Sequence, residues 1–218
     1  MTVENPRVKK AVVSSGMAHT RVVAHDGQFV VVDVLIDGEP PDEVADLDLW
    51  SAVDGDPLSG SDPLPVADGE AAYAFHFPAK RHDTAAVLHT TDESRAYWNL
   101  PPAIRQQLAL EAAFAIPNLQ VSNRDGQLTL DMTVANEGER DGTFKARVSL
   151  EGFSGGSVVE FPVPAGESRT YTGRPDDILL YLENQGGGTL TVHYPAAEGL
   201  TSIERSVKFS QTTTESNT

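Results

Sequence analysis

Apolar side chains recur at every second position along much of this 218-residue chain, a period that belongs to strands buried on one face. The clearest case sets Leu128, Leu130, Met132 and Val134 opposite Thr129, Asp131 and Thr133, and Asn136-Glu137-Gly138 ends the run. Phe144, Ala146, Val148 and Leu150 repeat the pattern, with Lys145, Arg147 and Ser149 expected to point outward. Further strands are predicted over residues 158–163, 168–172, 178–182, 190–194 and 203–209. In the first half, residues 28–37 form a β-branched run closed by Asp37-Gly38 and Pro40-Pro41. Residues 44–53 and 71–78 alternate, residues 83–90 are a shorter candidate, and residues 54–69 read as a loop. Residues 104–115 hold the only clear run of helix formers, either one or two turns of linker helix or a polar lead into a strand over 108–122. After Leu100-Pro101-Pro102 the favoured reading is a Pro-initiated linker followed by that strand. Strands spaced by roughly 8–12 residues with turn signals between them indicate sandwiches. The expectation is therefore all-β: two tandem antiparallel β-sandwiches over 8–100 and 110–209, a linker over 101–109, and a polar, disordered tail over 210–218.

Charge restricts partners more than fold. Asp and Glu number 32 against 16 Lys and Arg, a formal charge of −16, and the acids are dispersed along the whole chain. Such a surface repels phosphate backbones and anionic lipid, so neither nucleic acid nor membrane insertion is expected. Only five of the basic residues are Lys, against eleven Arg. Dispersed carboxylates stay hydrated where salt screens ordinary repulsion, whereas Lys adds an apolar stem. The composition reads as halophilic and archaeal, with an ordinary acidic mesophile protein as the alternative. Cysteine is absent, which excludes disulfides, thiolate metal sites and Cys nucleophiles. No apolar run reaches the roughly 18 residues of a membrane-spanning helix. Residues 1–10 are polar and basic, and the apolar run 11–13 is too short for a signal peptide. A cytosolic location and the trimmed form of an exported protein both stay open.

Residues 128–144 (LTLDMTVANEGERDGTF) followed by 161–173 (FPVPAGESRTYTG) resemble the CARDB-type immunoglobulin-like domains of bacterial and archaeal surface proteins. The shared marks are a strand ending in an Asn-x-Gly turn, here Asn136 and Gly138, and a later Pro-Ala-Gly-Glu turn, here Pro164 to Glu167. The resemblance covers about 110–209, and the whole chain resembles two-domain haloarchaeal envelope proteins. It implies an immunoglobulin-like second sandwich and a place at the cell envelope or outside the cell. It implies nothing about a ligand, since one fold hosts many tasks.

Motifs for chemistry meet the wrong contexts. Gly152-Phe153-Ser154-Gly155-Gly156 fits G-x-S-x-G, but a nucleophile elbow needs a helix after the Ser, and residues 157–163 are a β-branched run. A Gly-rich hairpin connection explains it better. No pair among His19, His25, His76, His82, His89 and His193 has helical metal-site spacing, although strands could still gather them. His19 and His25 are expected to flank a strand, and His76 to face away from Phe75 and Phe77. Asp54, Asp56 and Asp62 lie in a Gly-containing loop suited to calcium, yet the EF-hand register fails at Leu58 and the acids follow from composition alone. Asp42, Glu43, Asp46 and Asp48 read as a solvated strand edge. Gly186-Gly187-Gly188 precedes a strand and so offers no phosphate loop. Trp50, Tyr97 and Trp98 are candidates for a carbohydrate platform, with core or inter-domain packing as the plainer role.

No catalytic residue and no cofactor is expected. The reading is a non-enzymatic module that contacts other proteins, itself included, or serves as a spacer. The alternatives are a carbohydrate- or calcium-binding accessory module and a structural component of a halophilic virus or surface filament.

Overall fold

The computed structural model describes residues 1–15, 20–41, 48–58, 63–67, 71–91, 94–124, 127–153 and 155–208. Among them the chain is all-β, with every strand pairing antiparallel and two short helices. Neither helix is long and apolar enough to cross a membrane. The expected tail 210–218 lies outside the described residues.

The first half contributes β1 (Thr2–Ser15), β2 (Thr20–Leu35), β3 (Leu49–Val53), β4 (Asp56–Pro57), β5 (Leu64–Pro65), β6 (Ala72–Phe77), β7 (Ala85–Thr90) and β8 (Arg95–Asn99). They form two sheets, β1-β2-β6-β5 and β4-β3-β7-β8. Val30, Val32, Val34, Phe75 and Phe77 of one sheet meet Leu49, Val87 and Trp98 of the other. Helix α1 (Pro102–Ala109) closes this core with Ile104 and Leu108, one helical turn apart. The segment expected as a linker takes the helical alternative, with Pro at its start, but packs into the core, and the strand after it begins at Phe114 rather than at 108. Further departures are β1 and β8, which the alternation does not mark, and the two-residue β4 and β5, which lie inside the expected loop 54–69. Arg7, Lys9 and Lys10 break the pattern in β1, whose pairing with β2 carries register shifts at 4–7 and 9–11.

The second half contributes β9 (Phe114–Arg124), β10 (Gln127–Asn136), β11 (Gly142–Leu150), β12 (Ser157–Val163), β13 (Ser168–Gly173), α2 (Asp176–Gln185), β14 (Gly187–Ala196) and β15 (Gly199–Lys208). A three-stranded sheet β13-β10-β9 packs on a four-stranded sheet β12-β11-β14-β15, an immunoglobulin-like arrangement. Leu128, Leu130, Met132 and Val134 face Phe144, Ala146, Val148 and Leu150 across the core, as their alternation predicts. The strand expected over 178–182 is instead helix α2. Ile178, Leu179 and Leu182 are fully buried while Leu180 is 51% exposed, a helical stripe and not an alternating one. Gly186, in the left-handed region at φ 72°, ends it.

The two turns that carry the family resemblance meet at one end of this sandwich. Asn136 N–H donates to Glu167 O and Gly166 N–H to Asn136 O, both at 2.9 Å. The Asn136 side chain is buried and fully used: Oδ1 accepts from Ala113 N–H and Gly138 N–H (3.1 Å each), and Nδ2 donates to Arg140 O (2.8 Å) and Val163 O (3.0 Å). Gly138 is required for space, because a Cβ there would stand 2.1 Å from Glu111 O.

Candidate functional site

The most elaborate polar structure among the described residues is a seam between the two sandwiches. Strand β2 passes from the first sandwich through a bulge at Gly27 (φ 118°), where a Cβ would sit 2.5 Å from Phe77 O. Beyond the bulge, the ends of β1 and β2 lie against β11, β14 and β15. Ala11, Val13, Val22 and Ala24 form a small apolar cluster there with Val158. At the bulge Lys10 is buried, paired with Glu111, and donates to Gly27 O (3.2 Å) and Ala197 O (3.0 Å). Gln28, fully buried, donates to Leu108 O (2.9 Å) and lies within reach of Gln107 O and Leu110 O. Arg140 comes from the other side, donating to Leu110 O (3.1 Å), Val8 O (3.3 Å) and Gln28 Oε1 (2.5 Å). Burial lowers the Arg140 pKa from its ordinary value, opposed by the charges of Asp141 and Glu111.

This arm explains one overturned expectation. Lys145 was expected to point into water, but its side chain is 2% exposed and pairs with Glu160 at 3.3 Å. The face of β11 away from its core is covered by the first half of the chain.

The aromatic candidates separate. Trp98 packs against the first core. Trp50 and Tyr97 share the opposite, outer face of their sheet, in one cross-strand row with Leu88 between them. Tyr97 is 42% exposed, and its hydroxyl reaches over to Gly55 O at 3.4 Å. The ring borders a cleft of about 540 Å³ with a floor of Ala52 and Ala86 and a polar rim of Asp54, Thr84 and Asn99. Neither Asn99 nor Thr84 carries a motif; pairing with Ala86 brings Asn99 to this face, and hydrogen bonds with Asp54 hold Thr84 there.

The other candidates are placed without assembling a site. Asp54 sits in the left-handed region at φ 55° and accepts from Thr84 Oγ1 at 3.2 Å; Asp56 is exposed in β4, and Asp62 lies outside the described residues. Among the described residues no three His, Asp or Glu converge as metal ligands. Asp42, Glu43 and Asp46 also lie outside them, whereas Asp48 is exposed. His19 is not described, and His25 lies within β2 rather than at its edge. His76 does face away from Phe75 and Phe77: its ring lies 5.4 Å from that of His25 and 5.9 Å from Phe29, with Nε2 2.7 Å from Asp26 O. Burial, then the charge of His76, lowers the His25 pKa. His82 is buried, His89 is half-buried in β7, and His193 is half-buried in β14. Ser154 lies outside the described residues, but β12 after it pairs antiparallel with β11, a hairpin and not a strand–turn–helix.

No protein-family model matches this chain. No curated protein matches it in sequence either.

Proposed function

We propose that the chain is a non-enzymatic β-sandwich protein of a salt-adapted archaeon, acting at the cell envelope or outside the cell as a rigid spacer or protein–protein interaction module. The observation that carries this reading is the seam of Lys10, Gln28, Glu111 and Arg140. It joins the two sandwiches through polar groups that satisfy one another, Lys10 and Gln28 buried and Glu111 and Arg140 half-buried, which suits a part that transmits position. The resemblance of the second sandwich to CARDB-type domains points the same way, and so does a formal net charge of −16.

A salt titration tests the environmental half. The unfolding midpoint should rise between about 0.2 and 3 M KCl, because repulsion among dispersed carboxylates is screened. A flat or falling midpoint contradicts salt adaptation. Esterase turnover by the purified protein, lost in Ser154→Ala, contradicts the non-enzymatic half.

The Tyr97 cleft favours a second reading, a carbohydrate-binding accessory module. An exposed aromatic face beside small floor residues and amide, hydroxyl and carboxylate groups suits the apolar face and hydroxyl rim of a neutral sugar. Tyr97→Ala should then abolish glycan-array binding, while Trp98→Phe, in the core, should leave it intact. Equal binding by Tyr97→Ala removes this reading.

A further inference from the structure

The cleft beside Tyr97 has a charge pattern of its own. Among the described residues that border it, Asp54 alone is charged, and no Lys, Arg or His joins it. Arg95, on the same face as Tyr97, lies on the far side of the Trp50–Leu88–Tyr97 row from Asp54. Asp54 is also held in place. With Gly55 it forms the two-residue turn between β3 and β4, both at positive φ (55° and 88°), as an Asp-Gly hairpin turn requires. Its N–H donates to Thr84 O (3.4 Å), and its Oδ1 accepts from Thr84 Oγ1 (3.2 Å). Tyr97 donates its hydroxyl to Gly55 O, so the ring stands against the same turn. An exposed carboxylate and an exposed aromatic ring are thus fixed near each other at the rim of a floor of Ala52 and Ala86.

We propose that the sugar taken by this cleft is an amino sugar, its ammonium held between the Asp54 carboxylate and the Tyr97 ring. This rests on the sugar-binding reading of the cleft and adds a charge to one group of the ligand. Three effects favour an ammonium over a hydroxyl there. A hydrogen bond between two charged groups is roughly twice as strong as a neutral one. The negative face of a Tyr ring attracts a cation and leaves a hydroxyl almost indifferent. The field of a chain with 32 acidic and 16 basic residues also concentrates cations at its surface. The same charges disfavour uronic and sulfated sugars, which would set a second anion against Asp54. N-acetylation removes the positive charge and with it the advantage. The apolar face of the sugar lies on the alanine floor, and its hydroxyls meet Thr84 and Asn99.

The test is calorimetric titration of the full chain at constant KCl and about pH 6, where an amine is protonated. The probes are three β-1,4-linked disaccharides, of glucosamine, of N-acetylglucosamine and of glucose. The glucosamine disaccharide should bind more tightly than the other two by about fivefold or more. Asp54→Asn should bring all three within about twofold of one another. That variant keeps the fold, because Asn-Gly makes the same turn and Asn retains an acceptor for Thr84. Asp56→Asn, which removes the same charge outside the cleft, should keep the preference. Glucose bound as tightly as glucosamine by the native chain overturns the ammonium and leaves the sugar site standing. No binding of any of the three overturns both. The acetylated disaccharide binding tightest, a preference that survives Asp54→Asn, or one that Asp56→Asn removes equally would each overturn the proposal.

Discussion

Asn136→Ala should destabilise the protein by about 4 kcal/mol, the largest effect expected of any single substitution at a turn in this chain. The side chain makes four hydrogen bonds, two as acceptor and two as donor. Alanine leaves the Ala113 and Gly138 N–H groups and the Arg140 and Val163 carbonyls without it. The loss is smaller than four full penalties, because water reaches the partly buried members. It is still a large share of the roughly 5–15 kcal/mol that holds a domain together. Asn136→Asp is the informative control: it keeps both accepted bonds but turns lone pairs toward two carbonyl oxygens, so it should cost nearly as much. Urea unfolding at constant KCl, read by circular dichroism, measures both. A loss below about 1 kcal/mol for alanine would mean that the interlocked turns contribute little.

The same residue shows what was legible in the sequence. The Asn-x-Gly and Pro-Ala-Gly-Glu turns are recognisable as a pattern, and their docking on each other gives the pattern a physical reason. Period two correctly grouped Leu128 to Val134 and Phe144 to Leu150 into facing core rows. It failed over 178–182, where Ile178, Leu180 and Leu182 alternate as well as any strand. The sequence does hold helical signals there, the acidic pair Asp176-Asp177 and the closing Gly186, beside an apolar run that period two reads as a strand. Lys145 failed for another reason: alternation says which side chains share a face, not whether another part of the chain covers that face. The seam was invisible for the same cause. Lys10, Gln28 and Arg140 are far apart in sequence, and only the arm made by β1 and β2 joins them. The adjacent Lys9 and Lys10, in a chain with five lysines, were the one available hint. Of the aromatic candidates, strand register alone separates Trp98 in the core from Tyr97 on the outer face.

Arg140→Gln carries the second large expectation, a loss of about 2–3 kcal/mol together with uncoupling of the two sandwiches. The guanidinium holds Leu110 O, Val8 O and Gln28 Oε1 at once, and a shorter neutral amide cannot span them. Its removal also leaves Gln28 Oε1 buried without this donor. A half-satisfied buried network is costlier than an intact one.

Two intrinsic probes make that uncoupling visible. Both tryptophans, Trp50 and Trp98, lie in the first sandwich, whereas the buried methionine Met132 lies in the core of the second. The decisive measurement is urea unfolding in molar KCl, followed in parallel by tryptophan fluorescence and by the Met132 methyl resonance. A rigid two-sandwich body predicts coincident midpoints in the native protein and separated midpoints in Arg140→Gln. Separated midpoints in the native protein would contradict it, leaving two sandwiches that fold and move independently.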